Sequence, residues 1–173
     1  MQYMFADAPL FNSNLNNWNV AKVTNMRYLF DGATKFNGTT SDWDVSSVTD
    51  MSYMFFIATS FSQNISAWNV SSVTEFSFML AGATSFDSDL NSWSISTSSA
   101  VRMDGMFYKA TSFNGDLQDW QVSSVTEMDF MFNGATSFAG NLSAWDVSGV
   151  KDMSYLFYFA HFFDSVLDAW DVR

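Results

Sequence analysis

The chain has 173 residues, 48% apolar, 18% aromatic and 14% charged: the length of about one domain, and too apolar for a disordered segment. Its longest apolar runs, such as "MFFIA" at 54–58, fall far short of the roughly 20 residues a bilayer-spanning helix needs. The net charge of −11 repels nucleic acid and anionic lipid, and the lack of cysteine excludes disulfides, zinc thiolates and thiol catalysis.

One register runs through the whole chain. The seven tryptophans, Trp18, Trp43, Trp68, Trp93, Trp120, Trp145 and Trp170, are spaced by 25, 25, 25, 27, 25 and 25 residues. A Phe stands seven residues before each and an Ala ten before. Self-similarity at a fixed period marks a repeat architecture.

In the first unit Leu15, Trp18, Val20 and Val23 form the run LxxWxVxxV, and alternation about the Trp predicts a short strand with one buried face. In the second, Thr40 stands where Leu is expected, and Met51, Met54, Phe55 and Ala58 fall at i, i+3, i+4 and i+7. That is one face of a helix of two to three turns. The third unit gives this helix a start: Thr74 as N-cap and Glu75 in the first turn, where the dipole favours an acid. Gly32, Gly82 and Gly134 lie near the helix ends, where a left-handed residue is cheap. The fourth unit is two residues longer between Ile95 and Met103, a local loosening. Leu142, Trp145, Val147 and Val150 repeat the run, and the chain stops at "WDVR".

Neither element hides its apolar side alone, so units must stack. The expected fold is an α/β solenoid of about seven 25-residue units, leucine-rich-repeat-like, with a parallel sheet on the concave side and short helices on the convex side. Strands stack at about 4.8 Å and helices at 8–10 Å, so the helical side should spread and the sheet lie inside the bend. Seven strands would span about 29 Å. The chain reads as one repeat domain, 1–173, cut from a longer array and without a capping unit. The competing explanation is that identical copies stack end to end.

"LxxWxVxxV" has the spacing of the leucine-rich-repeat core, with Trp replacing one Leu. The fuller pattern, "WDVSSVTDMSYMF" followed by "ATSF", resembles the BspA-like leucine-rich-repeat surface proteins over essentially the whole chain. The resemblance implies a surface-displayed array used for attachment or binding, and no catalytic residues.

The Trp, Met and Phe columns read as core, against the alternative that exposed indoles stack on sugars. Asn17, Asn19, Asp42, Asp44, Asn69, Asp119, Gln121, Asp146 and Asp171 form an outward polar, acidic strip. It reads as solvated sheet, as a surface for a protein or glycan ligand, or as a place for calcium between acids such as Asp42 and Asp44. Calcium takes six or more oxygens and no loop gathers them, so no metal or cofactor is expected. Asp42 and Asp44 would stand about 6–7 Å apart on one strand face, which suits an inverting glycosidase, yet nothing near either would raise its pKa. His161 is the only histidine, and a nucleophilic triad has no support, so no enzyme is expected. Tyr3, Tyr28, Tyr53, Phe78, Gly105, Phe130 and Tyr155 share a column that should wedge between helices. Tyr158, Phe159 and Phe162 read as a partner contact or as shielding of the last helix. Four sequons, at Asn37, Asn64, Asn69 and Asn141, matter only where the host glycosylates secreted proteins. The expectation is therefore an extracellular or cell-surface binding module for a protein or glycan, or an assembly protein joining other copies through its ends. Neither nucleic acid nor membrane insertion is expected.

Overall fold

The structure, a computed structural model, describes residues 1–96 and 98–172; Thr97, in the lengthened fourth connection, lies outside the described residues. It overturns the expected α/β architecture. Among the described residues there is no helix, and hence none long and apolar enough to cross a membrane. The only strands among them are β1 (Val101–Arg102) and β2 (Val125–Glu127), paired in parallel with an irregularity between Val101 and Arg102. Isolated parallel bridges join Asn25 to Asp50, Asp50 to Glu75, Glu75 to Arg102, and Glu127 to Asp152. The pairing therefore lies at the expected helix start, and among the described residues no concave sheet runs along the tryptophans.

The unit is a succession of four-residue turns. In the second unit, backbone N–H groups close back on the carbonyl three residues earlier: Trp43 on Thr40, Val48 on Val45, Met54 on Met51, Ala58 on Phe55, and Phe61 on Ala58, at 2.9–3.1 Å. The first and last residues of a turn approach closely, so both can face the core, while the two corner residues face out. Two turns in succession, 51–54 and 55–58, put apolar residues at i, i+3, i+4 and i+7, the same pattern as one face of a helix. The expected core was thus correct and the expected helix was not: Met51, Met54, Phe55 and Ala58 are all fully buried.

Backbone conformation separates the two possibilities. The third residue of each of these paired turns has positive φ: Tyr53 at 57° and Ile57 at 55°, with counterparts at Tyr28 and Gly32, Phe78 and Gly82, Gly105 and Lys109, and Phe130 and Gly134. Positive φ at that position is the requirement of a type II turn. It aims the N–H along the stack instead of back into a helix. Met26, Tyr28, Phe30 and Gly32 donate to the carbonyls of Asp50, Ser52, Met54 and Phe56 at 2.8–3.1 Å, and Met51, Tyr53, Phe55 and Ile57 repeat the pattern one unit on. An L-residue in this conformation costs roughly 1–2 kcal/mol; from Tyr3 to Phe130 each one gains a ladder hydrogen bond.

Ring columns confirm the short repeat distance. Phe30 lies 5.4 Å from Phe55, Phe36 lies 6.0 Å from Phe61, and Trp43 lies 6.3 Å from Trp68. Helices packed side by side would hold equivalent residues about 8–10 Å apart. From Trp43 to Trp145 the indoles are buried and each N–H donates to a carbonyl of the unit before, as Trp43 does to Leu15 at 2.8 Å. The fourth unit is in step with the fifth at β1, where Val101 donates to Ser124, and the ladder continues from Met103 to Glu127.

Candidate functional site

Because the ladder is made by backbone, it leaves the outward side chains beside it unconstrained. One column there runs Asn25, Asp50, Glu75, Arg102, Glu127, Asp152; the next runs Arg27, Ser52, Ser77, Asp104, Asp129, Ser154. Arg27, Asp50, Ser52, Glu75, Ser77, Arg102 and Asp104 of these columns, with Tyr53, line a groove of about 450 Å³. Asp50 is held inside its own unit and by its neighbour: Ser52 donates to it through N–H (2.9 Å) and hydroxyl (2.6 Å), and Asn25 through Nδ2 (3.0 Å). Asp104, buried, accepts from the Ser77 hydroxyl at 2.6 Å and pairs with Arg102 at 3.4 Å. That is the only ion pair among the described residues. Arg27 lies 4.9 Å over the Tyr28 ring and donates to its hydroxyl at 3.3 Å. Burial pushes the Glu75 carboxyl above its usual value, with Arg102 pulling it back and Asp50 pushing it further up. Arg27 and Glu75 thus bring an unmatched cation and an unmatched acid to one groove.

Beyond the groove, Glu127, Asp129 and Asp152 bring carboxylate oxygens within 4.8 Å of one another. Burial, then Asp104 and Asp152, raise the pKa of Asp129, whereas the Ser154 hydroxyl and N–H lower that of Asp152. Three oxygens fall short of the six to eight that calcium takes. Sequence reading missed both columns. It placed Glu75 in a helix and saw a dipole partner; the signal was a column alternating Asn, Asp, Glu and Arg at the 25-residue period.

All nine residues of the expected strip are exposed. Most of them bond locally. Asp44 accepts from the Ser46 N–H and hydroxyl, Asn69 from Ser71, and Asp146 from Ser148, at 2.6–3.2 Å. Asn19 accepts from Ala21, and Gln121 donates to the Asp119 carbonyl. Asp42 turns instead to Asn16 of the preceding unit, and Asp119 to Asn91, each by a reciprocal pair of hydrogen bonds. Asp42 and Asp44 therefore serve different partners. The Ser46 and Ser148 hydroxyls hold Asp44 and Asp146 below the usual carboxylate range, the opposite of what a general acid needs. Asn17 and Asp171 stand exposed at either end of the strip.

The aromatic column stacks from Tyr3 through Tyr28 and Tyr53 to Phe78 with centroids 4.6–5.2 Å apart. It breaks at Gly105, where the Phe78 ring leans so close that a Cβ would sit 2.3 Å from it. Tyr108 stands edge-on in the gap, 6.2 Å from Phe78 and 6.4 Å from Phe130. Tyr158, Phe159 and Phe162 are exposed, with Tyr158 and Phe159 4.1 Å apart.

With the 25-residue period now seen as stacked turns, the match of the chain to a known family has a structural counterpart. The family described as "Mycoplasma protein of unknown function, DUF285" matches residues 1–101 and again 94–173. The chain belongs to that family. The two matches together span every unit, so the repeat found in the sequence is the family's own feature. No curated protein and no solved structure matches the chain.

Proposed function

We propose that this DUF285 chain is a non-catalytic recognition module, displayed at the cell surface or outside the cell, that takes a polypeptide partner along its ladder side. The likeness of its repeats to BspA-like surface proteins points the same way. The observation that carries the reading is the groove in which Arg27 and Glu75 have no ion-pair partner among the described residues while Asp50 and Asp104 are already held. Such a groove suits a segment bearing both an acid and a base, since the exposed Arg27 can meet the acid and the half-buried Glu75 the base. A glycan is less well served, because ring faces in the aromatic and Trp columns are covered by one another.

The test is binding of the labelled chain to arrays of immobilised polypeptides and glycans, with two double variants. Arg27→Ala with Glu75→Gln should weaken polypeptide binding at least tenfold, and Asp44→Ala with Asp146→Ala should leave it unchanged. Loss only in the second variant would move recognition to the acidic strip; glycan binding, or none at all, would contradict the reading.

A further inference from the structure

The break in the aromatic column at Gly105 leaves a notch in the middle of the stack. Three half-buried rings, Phe78, Tyr108 and Phe130, line it around about 270 Å³. The far face of each flanking ring is covered: Tyr53 stacks on Phe78 at 5.2 Å and Tyr155 on Phe130 at 5.0 Å. Their other faces turn to the gap. Tyr108 closes it from the side, at 69° to Phe78 and 83° to Phe130. No side chain at residue 105 can fill the place, because Gly105 holds φ at 57° and any Cβ there would strike the Phe78 ring. In the third unit the same two positions carry Tyr53 and Phe56, again edge to face, at 5.5 Å. The notch is therefore the room of one missing ring.

Bare ring faces set at steep angles around an opening suit a cation. The kind of cation follows from the walls. Phe78 and Phe130 offer no acceptor for an N–H, so a lysine ammonium or a guanidinium would leave water and find too few partners. A trimethylammonium group has no N–H to satisfy and presents its charge through methyl groups. The charge around the notch has the right sign. Asp104 and Asp129 stand beside Gly105 and Phe130 at the corners of the turns 103–106 and 128–131, and Glu127 and Asp152 gather round Asp129. Lys109 sets a further condition. Its Nζ lies 5.0 Å from the centre of the Tyr108 ring, and it is exposed with no ion pair among the described residues. A ligand carrying positive charge alone would be repelled by that ammonium. One with an anion next to its trimethylammonium would be held by it.

We propose that the Gly105 notch binds phosphocholine, free or as a lipid headgroup. The trimethylammonium group sits between Phe78, Tyr108 and Phe130, and the phosphate meets the Lys109 ammonium. Only the methyl groups leave water; the phosphate stays at the exposed rim. The notch shares no wall residue with the groove, so this site goes beyond the polypeptide reading and neither depends on the other.

Titration calorimetry of the 173-residue chain with phosphocholine is the test, and one site per chain is expected. Choline, which lacks the phosphate, should bind more weakly. The neutral analogue of choline, with tert-butyl in place of trimethylammonium, should bind at least tenfold more weakly than choline, and phosphoethanolamine at least tenfold more weakly than phosphocholine. These comparisons use the parent chain and need no variant to fold. Tyr108→Leu and Phe130→Leu keep an apolar wall without its π face, and each should weaken choline binding at least tenfold. Lys109→Gln should bring phosphocholine down to the affinity of choline. Arg27→Ala with Glu75→Gln, the groove pair, should change neither. Sedimentation with phosphatidylcholine vesicles names the source: capture that free phosphocholine displaces assigns the headgroup, and binding of the free compound alone assigns the soluble form. No binding of phosphocholine overturns the proposal. So does a tert-butyl analogue as good as choline, which reduces the notch to an apolar hollow, and so does loss with the groove pair alone. A peptide carrying trimethyl-lysine that binds more tightly than phosphocholine also overturns it, in favour of a modified polypeptide.

Discussion

The two sides of the stack are held by different atoms. On the side running from Met26 to Gly32, neighbouring units are joined by backbone N–H and carbonyl groups. On the tryptophan side, apart from a few backbone bonds such as Leu15 N–H on the Thr39 carbonyl and Val101 N–H on that of Ser124, side chains make the links: indole N–H groups, the reciprocal Asn16–Asp42 pair, and serine hydroxyls such as Ser47 on the Ala21 carbonyl. A backbone link tolerates any side chain; a side-chain link fixes the residue. This is why Trp recurs in every unit, while the column beside the ladder passes through Asn, Asp, Glu and Arg. Variation useful for recognition is therefore cheapest on the ladder side.

Breaking the shared core should have the largest effect. Phe107 is buried, 4.0 Å from Phe113 and 5.6 Å from Phe132. Phe107→Ala should cost about 3–5 kcal/mol, read by chemical denaturation. Trp120→Phe keeps the ring stack but removes the 2.8 Å bond to the Leu90 carbonyl. It should cost about 1–2 kcal/mol, and an equivalent loss at the ladder cannot be made by any side-chain substitution that spares the backbone. Thr40 sits fully buried in the Leu column with a hydroxyl that has no partner. Thr40→Val should stabilise by about 1 kcal/mol, since an unsatisfied buried hydroxyl is expensive; an unchanged midpoint would place a partner on that hydroxyl. Ile57 holds φ at 55° in a column that elsewhere carries Gly32, Gly82 and Gly134. Ile57→Asn should gain somewhat under about 1 kcal/mol by accepting the left-handed conformation more readily.

The smallest effect is in pH. Burial raises the folded-state pKa of Glu75, Asp31 and Asp129, so the folded chain binds protons more tightly there than the unfolded chain. Their contribution favours folding at low pH and is lost as pH rises through the raised values. Asp129→Asn should flatten that decline in a series of thermal melts from mildly acidic to neutral pH. Asp44, Asp146 and Asp152 act with the opposite sign, losing their contribution as pH falls through their lowered values.

The sequence made the period and the core plain, because every Trp, Phe and Val column recurs and is buried in the inner units. It did not show the local conformation, because Met51, Met54, Phe55 and Ala58 satisfy a helix and a pair of turns equally. The clue was present: glycine recurs in the same columns as Tyr53 and Ile57, at Gly105 and at Gly32, Gly82 and Gly134, and a column that keeps returning to Gly is asking for positive φ. The strip at Asp44 and Asp146 was rightly placed on the surface. Its local bonds to Ser46 and Ser148 are encoded in the Asp-x-Ser spacing, an Asx turn. The groove could not be seen while Glu75 was read as the first turn of a helix, since only the ladder sets Asp50, Glu75 and Arg102 side by side.

Through-hydrogen-bond scalar couplings in the labelled chain test the ladder of turns most directly. The Tyr28 amide nitrogen is expected to couple to the Ser52 carbonyl carbon, and that of Tyr53 to Ser77, with Leu29 coupled to Met26 inside its turn. Coupling of Tyr28 to Thr24 and of Tyr53 to Thr49, four residues back along the chain, would mean a helix and would contradict the ladder.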